Sequence, residues 1–390
     1  MHMQRKIIHV DCDCFYAAVE MRDQPAWHTI PLAVGGPPDA RGVIATCNYL
    51  ARRDGVHSAM ASAQALKRCP SLLIVPPDMA RYRAASEDIN AIYRAYTDLI
   101  EPLSLDEAFL DVSQVEHCAG SATRMAQAIR SRIREEVGIT ASAGVAPNKF
   151  LAKIASDWNK PDGLCVVRPD QVASFVAALP VGRLFGVGKV TAARMHALGL
   201  ITCADVQTWE LARLIRHFGR FGARLYELAR GIDHRPVECD RARLSISVET
   251  TYPADLPTLA ACQAELPALL AQLKRRLIRY GSPSFKQIVL KLKFNDFQQT
   301  TAESGACRLG IDRTLGRESE KHDAPTCESS FDPRVLQPQI PNSGKGLELA
   351  RYTALLDTSW RRGQRPVRLL GVGVRLAPPL PVVQLTLFND

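Results

Sequence analysis

Two pairs of carboxylates interrupt apolar runs that a folded chain has to bury. Asp11 and Asp13 follow the strand-like run Ile7–Val10. Asp106 and Glu107 lie in a second such segment, Pro-Leu-Ser-Leu-Asp-Glu-Ala-Phe-Leu-Asp-Val. Carboxylates are costly in buried strands, and Mg²⁺ binds a few carboxylates together with substrate phosphates and water. The acids therefore predict a metal site for phosphoryl chemistry, with a solvated turn as the alternative for any single acid.

The alternation of side chains along a strand sets the expected geometry of these acids. Asp11 and Asp13 would share one face of the strand, whereas the adjacent residues Asp106 and Glu107 would not. A turn at Leu105–Glu107 must therefore bring the second pair to one site.

Composition limits the class of protein. The 390 residues suggest two to four domains, and 46% hydrophobic with 23% charged residues argue against general disorder. Eleven cysteines without a Cys-x-x-Cys pair argue against a zinc ribbon or disulfide framework and favour a reduced, cytoplasmic protein. We expect neither a secretory signal nor a membrane span, since no apolar run is long enough. The net charge of +9 only hints at a polyanionic partner.

The chain divides into regions of different periodicity. Up to about Arg168, apolar strand-like runs alternate with helical patterns, which predicts an α/β or α+β domain. Short helices punctuated by glycine follow, up to Gly231. A third region combines strand-like Ser245–Thr250 and Lys286–Phe294 with a helix near Leu259–Tyr280. Residues 305–345 are polar, without periodicity and without net charge, so we expect a structureless insertion there.

Four blocks make a family resemblance specific. They are Asp-Cys-Asp-Cys-Phe-Tyr-Ala-Ala-Val-Glu (11–20), Ala-Thr-Cys-Asn-Tyr-Leu-Ala-Arg (45–52), Ser-Leu-Asp-Glu-Ala-Phe-Leu-Asp (104–111) and Ser-Ala-Gly-Val-Ala-Pro-Asn-Lys-Phe-Leu-Ala-Lys-Ile-Ala-Ser-Asp (142–157). In this order and spacing the chain resembles the Y-family translesion DNA polymerases, most closely the bacterial DNA polymerase IV branch. The likeness runs from Arg5 to about Arg375, apart from the insertion.

The resemblance implies an α+β multidomain protein shaped like a right hand. The implied parts are a palm with an antiparallel sheet plus helices (1–18 and 77–167), small fingers (19–76), a helical thumb with a helix-hairpin-helix motif (168–232), a linker (233–243), an α/β little-finger domain that binds DNA (244–376, with the insertion 305–345) and a clamp-binding tail (377–390).

The implied activity is low-fidelity, template-directed DNA synthesis across damage, without a proofreading nuclease. Nucleotidyl transfer from a dNTP to the 3′-hydroxyl of primer–template DNA would use two Mg²⁺ ions per active site. The resemblance makes Asp11, Asp106 and Glu107 the catalytic metal ligands, together with the backbone carbonyl of Cys12. Asp13 would support these ligands from behind.

Nucleotide-binding residues are also implied. Tyr16 takes the steric-gate position, where an aromatic ring blocks a ribose 2′-hydroxyl; the alternative is an ordinary core aromatic. Leu50 and Asp54 depart from the family pattern, and we expect them to bear on lesion preference more than on activity. The dNTP triphosphate would be bound by Thr46, Tyr49, Arg52 and Lys160.

Two regions are expected to hold DNA. Gly186 and Gly188, followed by Lys189, look like a helix-hairpin-helix turn whose backbone N–H groups approach a phosphate, although such glycines are usually only a turn. Residues 271–293 carry seven cationic side chains and no acid. Lys291 and Lys293 in this stretch share a strand face that suits a DNA backbone; a solvated sheet face is the alternative.

The C-terminal segment ends in apolar residues, which is unusual for a chain terminus. Gln384, Leu385, Leu387 and Phe388 resemble the peptide by which bacterial polymerases dock on the β subunit of the sliding clamp. The alternative is a final strand packed on the sheet. We expect a monomer apart from these partners.

Two other functions fit parts of the same sequence. One is a non-catalytic DNA- and clamp-binding protein with a decayed site, which the intact Asp11, Asp106 and Glu107 oppose. The other is a metal-dependent nuclease, which Tyr16 and the residues expected around a triphosphate disfavour.

Overall fold

The computed structural model describes residues 4–305 and 347–378. These residues form two compact units that divide between Arg241 and Ala242. No helix within the described ranges is both long and apolar enough to span a bilayer. The predicted insertion, apart from Gly305, and the predicted docking residues Gln384, Leu385, Leu387 and Phe388 lie outside the described residues.

The N-terminal unit contains eight strands and eleven α-helices in its described part. In chain order they are β1 (Ile7–Cys12), α1 (Phe15–Asp23), β2 (Leu32–Gly35), β3 (Ile44–Cys47), α2 (Tyr49–Arg53), α3 (Ser62–Arg68), β4 (Leu73–Val75), α4 (Met79–Arg94), β5 (Ile100–Pro102), β6 (Glu107–Asp111), α5 (Ala122–Arg132), β7 (Ala141–Ala146), α6 (Lys149–Trp158), β8 (Leu164–Val166), α7 (Val172–Ala177), α8 (Lys189–Ala197), α9 (Cys203–Gln207), α10 (Leu211–Phe218) and α11 (Arg220–Leu228).

A five-stranded sheet forms the centre of this unit, in the order β5-β6-β1-β7-β8. Its neighbours are antiparallel except β7 and β8, which run parallel. The prediction of an antiparallel sheet is therefore wrong for this one pair. Helix α6 connects β7 to β8, and a crossover helix of this kind returns the chain to pair in parallel.

The two faces of this sheet are covered differently. Even-numbered residues of β1, such as Ile8 and Val10, pack with α4 and α5 in one core. The other face carries Ile7 and Phe109, which pack with α6 in a second core. Gly144 of β7 allows α6 to lie very close, because a Cβ there would stand 2.0 Å from the carbonyl oxygen of Ala152. Helix α6 is thus fixed over the face to which His9 and Asp11 belong.

A smaller sheet, in the order β3-β2-β4, packs with α2 and α3 around its own core. The predicted boundary between palm and fingers, at residues 18 and 19, falls inside α1, which continues without a break to Asp23. The exact domain bounds stay a prediction.

Helices α7–α11 continue the second core through residues such as Met195 and Leu225. The segment expected to be a linker is docked on this unit at its start. Asp233 is buried, pairs with Arg224 and Arg235, and accepts a hydrogen bond from the backbone N–H of Phe150 at 3.1 Å. These contacts hold the end of the helical region against the start of α6.

The described part of the C-terminal unit is one four-stranded sheet covered by two helices. Its elements are β9 (Ser245–Leu256), α12 (Leu259–Arg279), β10 (Phe285–Phe294), β11 (Gln299–Gly305), α13 (Leu349–Trp360) and β12 (Val367–Leu376). The antiparallel sheet has the order β11-β10-β12-β9. Both helices pack on one face, against Ile288, Leu290 and Leu292. The opposite face, with Lys291 and Lys293, has no helix of this unit on it among the described residues.

Candidate active site

The predicted metal ligands meet where β1 and β6 run side by side. Asp11 lies directly opposite Glu107 in the antiparallel register, so both side chains project from the α6 face of the sheet. The backbone N–H of Cys12 donates to the carbonyl oxygen of Asp106 at 2.9 Å, which places Asp106 beside the same strand end. The three acidic residues, expected from two distant segments, therefore occupy neighbouring backbone positions at this strand end.

A lysine neutralises each of the two strand carboxylates. Lys160 Nζ is 2.5 Å from Asp11 Oδ1, and Lys153 of α6 forms an ion pair with Glu107 Oε2. Burial raises the pKa of Asp11 to about 6 in spite of Lys160. Burial acts in the same direction on Glu107, but contacts from His9 and Lys153 outweigh it and lower the pKa of Glu107 to about 2.

His9 stands behind Glu107 in the core. Its Nε2 is 3.2 Å from Glu107 Oε2, and its Nδ1 is 2.8 Å from Ser156 Oγ. Ser156 in turn donates to the carbonyl oxygen of Lys153 at 2.8 Å. Burial lowers the pKa of His9 to about 4, so the ring is neutral near pH 7. Since Ser156 gives its hydroxyl proton to the Lys153 carbonyl, the neutral His9 ring donates from Nδ1 to Ser156 Oγ, and Nε2 lies beside Glu107 without a hydrogen-bond partner. The hydrogen bonds thus join β1 to α6 next to Glu107.

Asp13 lies just beyond the end of β1 and is buried. Strand β1 ends at Cys12, and Cys14 takes a left-handed conformation with φ +42°, so the alternation stops before Asp13. The carboxylate of Asp13 turns inward and accepts from Thr140 Oγ1, Ser142 Oγ and the N–H of Asp162, each at 2.8 Å. The Asp13 carboxylate therefore stabilises the end of β1 from the buried side.

Tyr16 lies in the first turn of α1, stacked on the buried Tyr82 of α4. The ring centroids are 4.2 Å apart and the ring planes differ by 14°. Tyr82 is itself fixed, because its hydroxyl donates to Glu20 Oε1 at 2.6 Å, and Glu20 pairs with Arg81. The position of the Tyr16 ring is thus set by a chain of contacts inside the first core.

The residues expected around a triphosphate are only partly gathered. Tyr49 Oη donates to Asp13 Oδ1 at 3.4 Å, and the Arg52 guanidinium lies 4.7 Å from the Tyr49 ring centroid. Lys160 is near enough to influence the pKa of Tyr49, which burial raises to about 12. Thr46 lies on β3, opposite Val34 of β2.

The expected DNA contacts lie in both units. In the N-terminal unit Gly186 has φ +88°, and Gly188 is the N-cap of α8, with open space where a Cβ would be. In the C-terminal unit Lys291 pairs with Glu249 at 2.9 Å, and Lys293 lies 5.5 Å from the Phe297 ring centroid. The cationic residues of 271–293 are divided, since four of them are exposed on α12 and the other three lie on β10.

Sequence reasoning missed three residues of the site: Lys153, His9 and Ser156. His9 could have been noticed, because a histidine inside the apolar run Ile7–Val10 needs a polar partner when buried. Lys153 gives no such signal, since a lysine on an amphipathic helix usually faces solvent.

The chemistry of the donors fits a hard divalent cation. Asp11, Asp106 and Glu107 offer only oxygen atoms, which is the ligand type that Mg²⁺ takes. In the described ranges, however, no three His, Cys, Asp or Glu side chains converge in a ready-made metal cluster. Asp11 is paired with Lys160, and Glu107 with Lys153.

Three family profiles match successive parts of the chain. A profile of the impB/mucB/samB family matches residues 10–157, and a profile of its C-terminal domain matches residues 243–321. A profile described as the thumb domain of DNA polymerase iota matches residues 182–233.

Curated relatives and solved structures cover nearly the whole chain. It is 55% identical to a DNA polymerase IV of Ralstonia nicotianae, over 95% of this chain and 94% of that one. It is 54% identical to a DNA polymerase IV of Pseudomonas syringae pv. tomato, over 96% and 95%. A Y-family DNA polymerase chimera of Dbh and Dpo4 is similar with a TM-score of 0.79 at 27% identity, over 95% and 98%. An insertion ternary complex of Dbh DNA polymerase is similar with a TM-score of 0.62 at 26% identity, over 95% of this chain and 98% of that one.

Proposed function

The chain belongs to the Y family of DNA polymerases, in the branch of the bacterial DNA polymerases IV, and we propose that Asp11, Asp106 and Glu107 hold the divalent metal that this family uses. It is a low-fidelity translesion DNA polymerase. The observation that carries the proposal is the register of β1 and β6, which sets Asp11 opposite Glu107 beside Asp106.

We propose Mg²⁺ as the metal, two ions per site, with the Cys12 carbonyl as a further ligand. Bound there, the ions would supply a lower pKa for the primer 3′-hydroxyl and charge neutralisation for the triphosphate and pyrophosphate. The protein contributes the fixed strand ends that space the carboxylates. Asp13 keeps the end of β1 in place through its three hydrogen bonds at 2.8 Å.

The remaining residues of the site are assigned to the incoming dNTP. Arg52 offers a planar fork and Lys160 a point charge to phosphate oxygens, with Thr46 and Tyr49 as neutral donors. Burial lowers the pKa of Lys160, but Asp11 and Asp157 outweigh burial and raise it, so Lys160 stays charged. We propose that Lys160 moves from Asp11 to the triphosphate when the nucleotide binds. Tyr16, held by Tyr82, closes the sugar pocket against a 2′-hydroxyl.

Primer extension tests this function directly. The purified protein should lengthen the primer of an undamaged primer–template DNA according to the template, given four dNTPs and Mg²⁺. EDTA should stop the reaction and added Mg²⁺ should restore it, with Mn²⁺ as the comparison metal. Shortening of the primer without nucleotides would instead indicate a nuclease, and DNA binding without extension would indicate a non-catalytic DNA-binding protein.

We assign DNA-backbone contacts to Gly186, Gly188 and Lys189 in the N-terminal unit and to Lys291 and Lys293 in the C-terminal unit. The open space at Gly188 and the exposed N-terminus of α8 leave room for a phosphate beside backbone N–H groups. The open sheet face presents its two lysines in one row, because they are two residues apart on β10.

Replacing both Lys291 and Lys293 by alanine should weaken the salt dependence of DNA binding. Each lost phosphate contact lowers the slope of log K against log salt by about 0.9, so the slope should become shallower by about 1.8. The matched control is Lys274→Ala with Arg275→Ala, exposed on α12. Fluorescence anisotropy at several salt concentrations measures both; equal slopes for the two double variants would contradict the assignment to the sheet face.

We propose that the segment with Gln384, Leu385, Leu387 and Phe388 binds the sliding clamp, on the strength of its sequence alone. Deleting residues 384–390 should leave extension without clamp unchanged and remove the stimulation that added clamp gives. A variant with residues 384–388 in scrambled order keeps composition and length and should behave like the deletion. Full stimulation of either variant would refute this proposal.

A further inference from the structure

We propose that Lys153 is an internal counter-ion that competes with the divalent metal for Glu107, and so sets how tightly the free enzyme binds that metal. This inference rests on the proposed function, because it takes Glu107 as a metal ligand. It concerns Lys153, to which the assignments above give no part.

The contact is specific to one oxygen of Glu107. Lys153 Nζ and His9 Nε2 both approach Oε2. The side chains of Lys153 and Glu107 are 30% and 21% exposed, so the pair borders solvent and the ammonium has room to withdraw. The Lys153 ammonium group offsets the negative charge on Glu107 Oε2, and this is the charge that would attract a metal ion.

The position of Lys153 is set by the fold. Ser156, one turn further along α6, links the Lys153 carbonyl oxygen to His9 Nδ1. The other ring nitrogen of His9, Nε2, lies 3.2 Å from Glu107 Oε2. The close approach of α6 to Gly144 brings this turn of the helix against the sheet. The Cα of Lys153 is therefore held near Glu107. This favours a lasting ion pair over a chance contact of a flexible side chain.

The lysine charges of the site compete with a divalent ion for the same carboxylates. Asp11 and Glu107 are each paired with a lysine, whereas no such ion pair of Asp106 occurs among the described residues. A divalent ion that binds Glu107 must push aside the Lys153 ammonium or bind close to it, and like charges at such distances repel strongly in a partly buried site. Removing the lysine charge should strengthen metal binding about tenfold.

Binding of Mn²⁺ to the free enzyme, followed by electron paramagnetic resonance, tests this proposal without reference to activity. Lys153→Met should bind Mn²⁺ about tenfold more tightly than wild type. Lys153→Arg keeps the charge and should match wild type. Glu107→Gln should bind more weakly, and in the double variant Lys153→Met with Glu107→Gln the gain should disappear.

The outcomes separate the two claims. Unchanged or weaker Mn²⁺ binding in a folded Lys153→Met variant overturns the counter-ion role, even when Glu107→Gln weakens binding as expected. Unchanged binding in Glu107→Gln contradicts the metal assignment itself. Circular dichroism melting checks the fold of each variant, and Lys153→Gln removes the same charge should the methionine variant unfold early.

Discussion

Replacing Asp106 by alanine is expected to slow nucleotidyl transfer at least about 1,000-fold, on the order of 4 kcal/mol of transition-state stabilisation. The carboxylate is proposed to bind the metal that supplies this stabilisation. The fold should survive, because the hydrogen bond between Cys12 N–H and the Asp106 carbonyl oxygen uses only backbone atoms. The side chain itself accepts from Ser104 Oγ at 2.5 Å, near the surface. Single-turnover primer extension measures the loss.

Substitution of Asp106 disturbs the fold less than substitution of either of the two other carboxylates. Removing Asp11 or Glu107 would leave Lys160 or Lys153 without its partner, and an uncompensated charge in a half-buried site destabilises the fold. Affinity of the Asp106→Ala variant for primer–template DNA should stay within about twofold of wild type. Asp88→Ala, exposed on α4, is the control for loss of one acid in the same unit. Extension by Asp106→Ala within about tenfold of wild type would remove Asp106 from the proposed site.

The sequence identifies the acids of the site but not their mutual positions. Asp11 and Glu107 are conspicuous because charge in an apolar strand is costly. Their direct opposition depends on the register between strands far apart in the chain, and periodicity within one segment carries no information on pairing. For the same reason, the partners of Asp13, which come from Thr140, Ser142 and Asp162, could not be predicted from its own segment.

Local sequence pattern also fails to predict two features of the C-terminal unit, which are strand β11 and the division of its cationic residues. The polar strand β11 lacks the apolar alternation that would have predicted it, since it borders the sheet and buries only Ala302 among its described side chains. The cationic residues of 271–293 look like one cluster in the sequence. They divide between α12 and β10 because a helix and a strand of one layered fold expose opposite faces.

The second large effect is expected at Tyr16. Replacing it by alanine should lower the preference for deoxyribonucleotides over ribonucleotides about 100-fold, because the ring that would meet a 2′-hydroxyl is gone. Extension with dNTPs should fall much less, since no proposed metal ligand is changed. The ratio of kcat/KM for a dNTP and the matching rNTP, measured by single-nucleotide insertion, gives the discrimination.

Tyr16→Phe is the matched control, because it keeps the ring stacked on Tyr82 at 4.2 Å and removes only the hydroxyl. If the ring is the barrier, this variant should discriminate as wild type does. If the hydroxyl were the barrier, both variants would accept ribonucleotides equally. The packing favours the ring, because Glu20 fixes Tyr82 through a 2.6 Å hydrogen bond and Tyr82 in turn fixes the plane of Tyr16. A fixed plane can exclude an added oxygen atom by contact alone, whereas a mobile side chain would move aside.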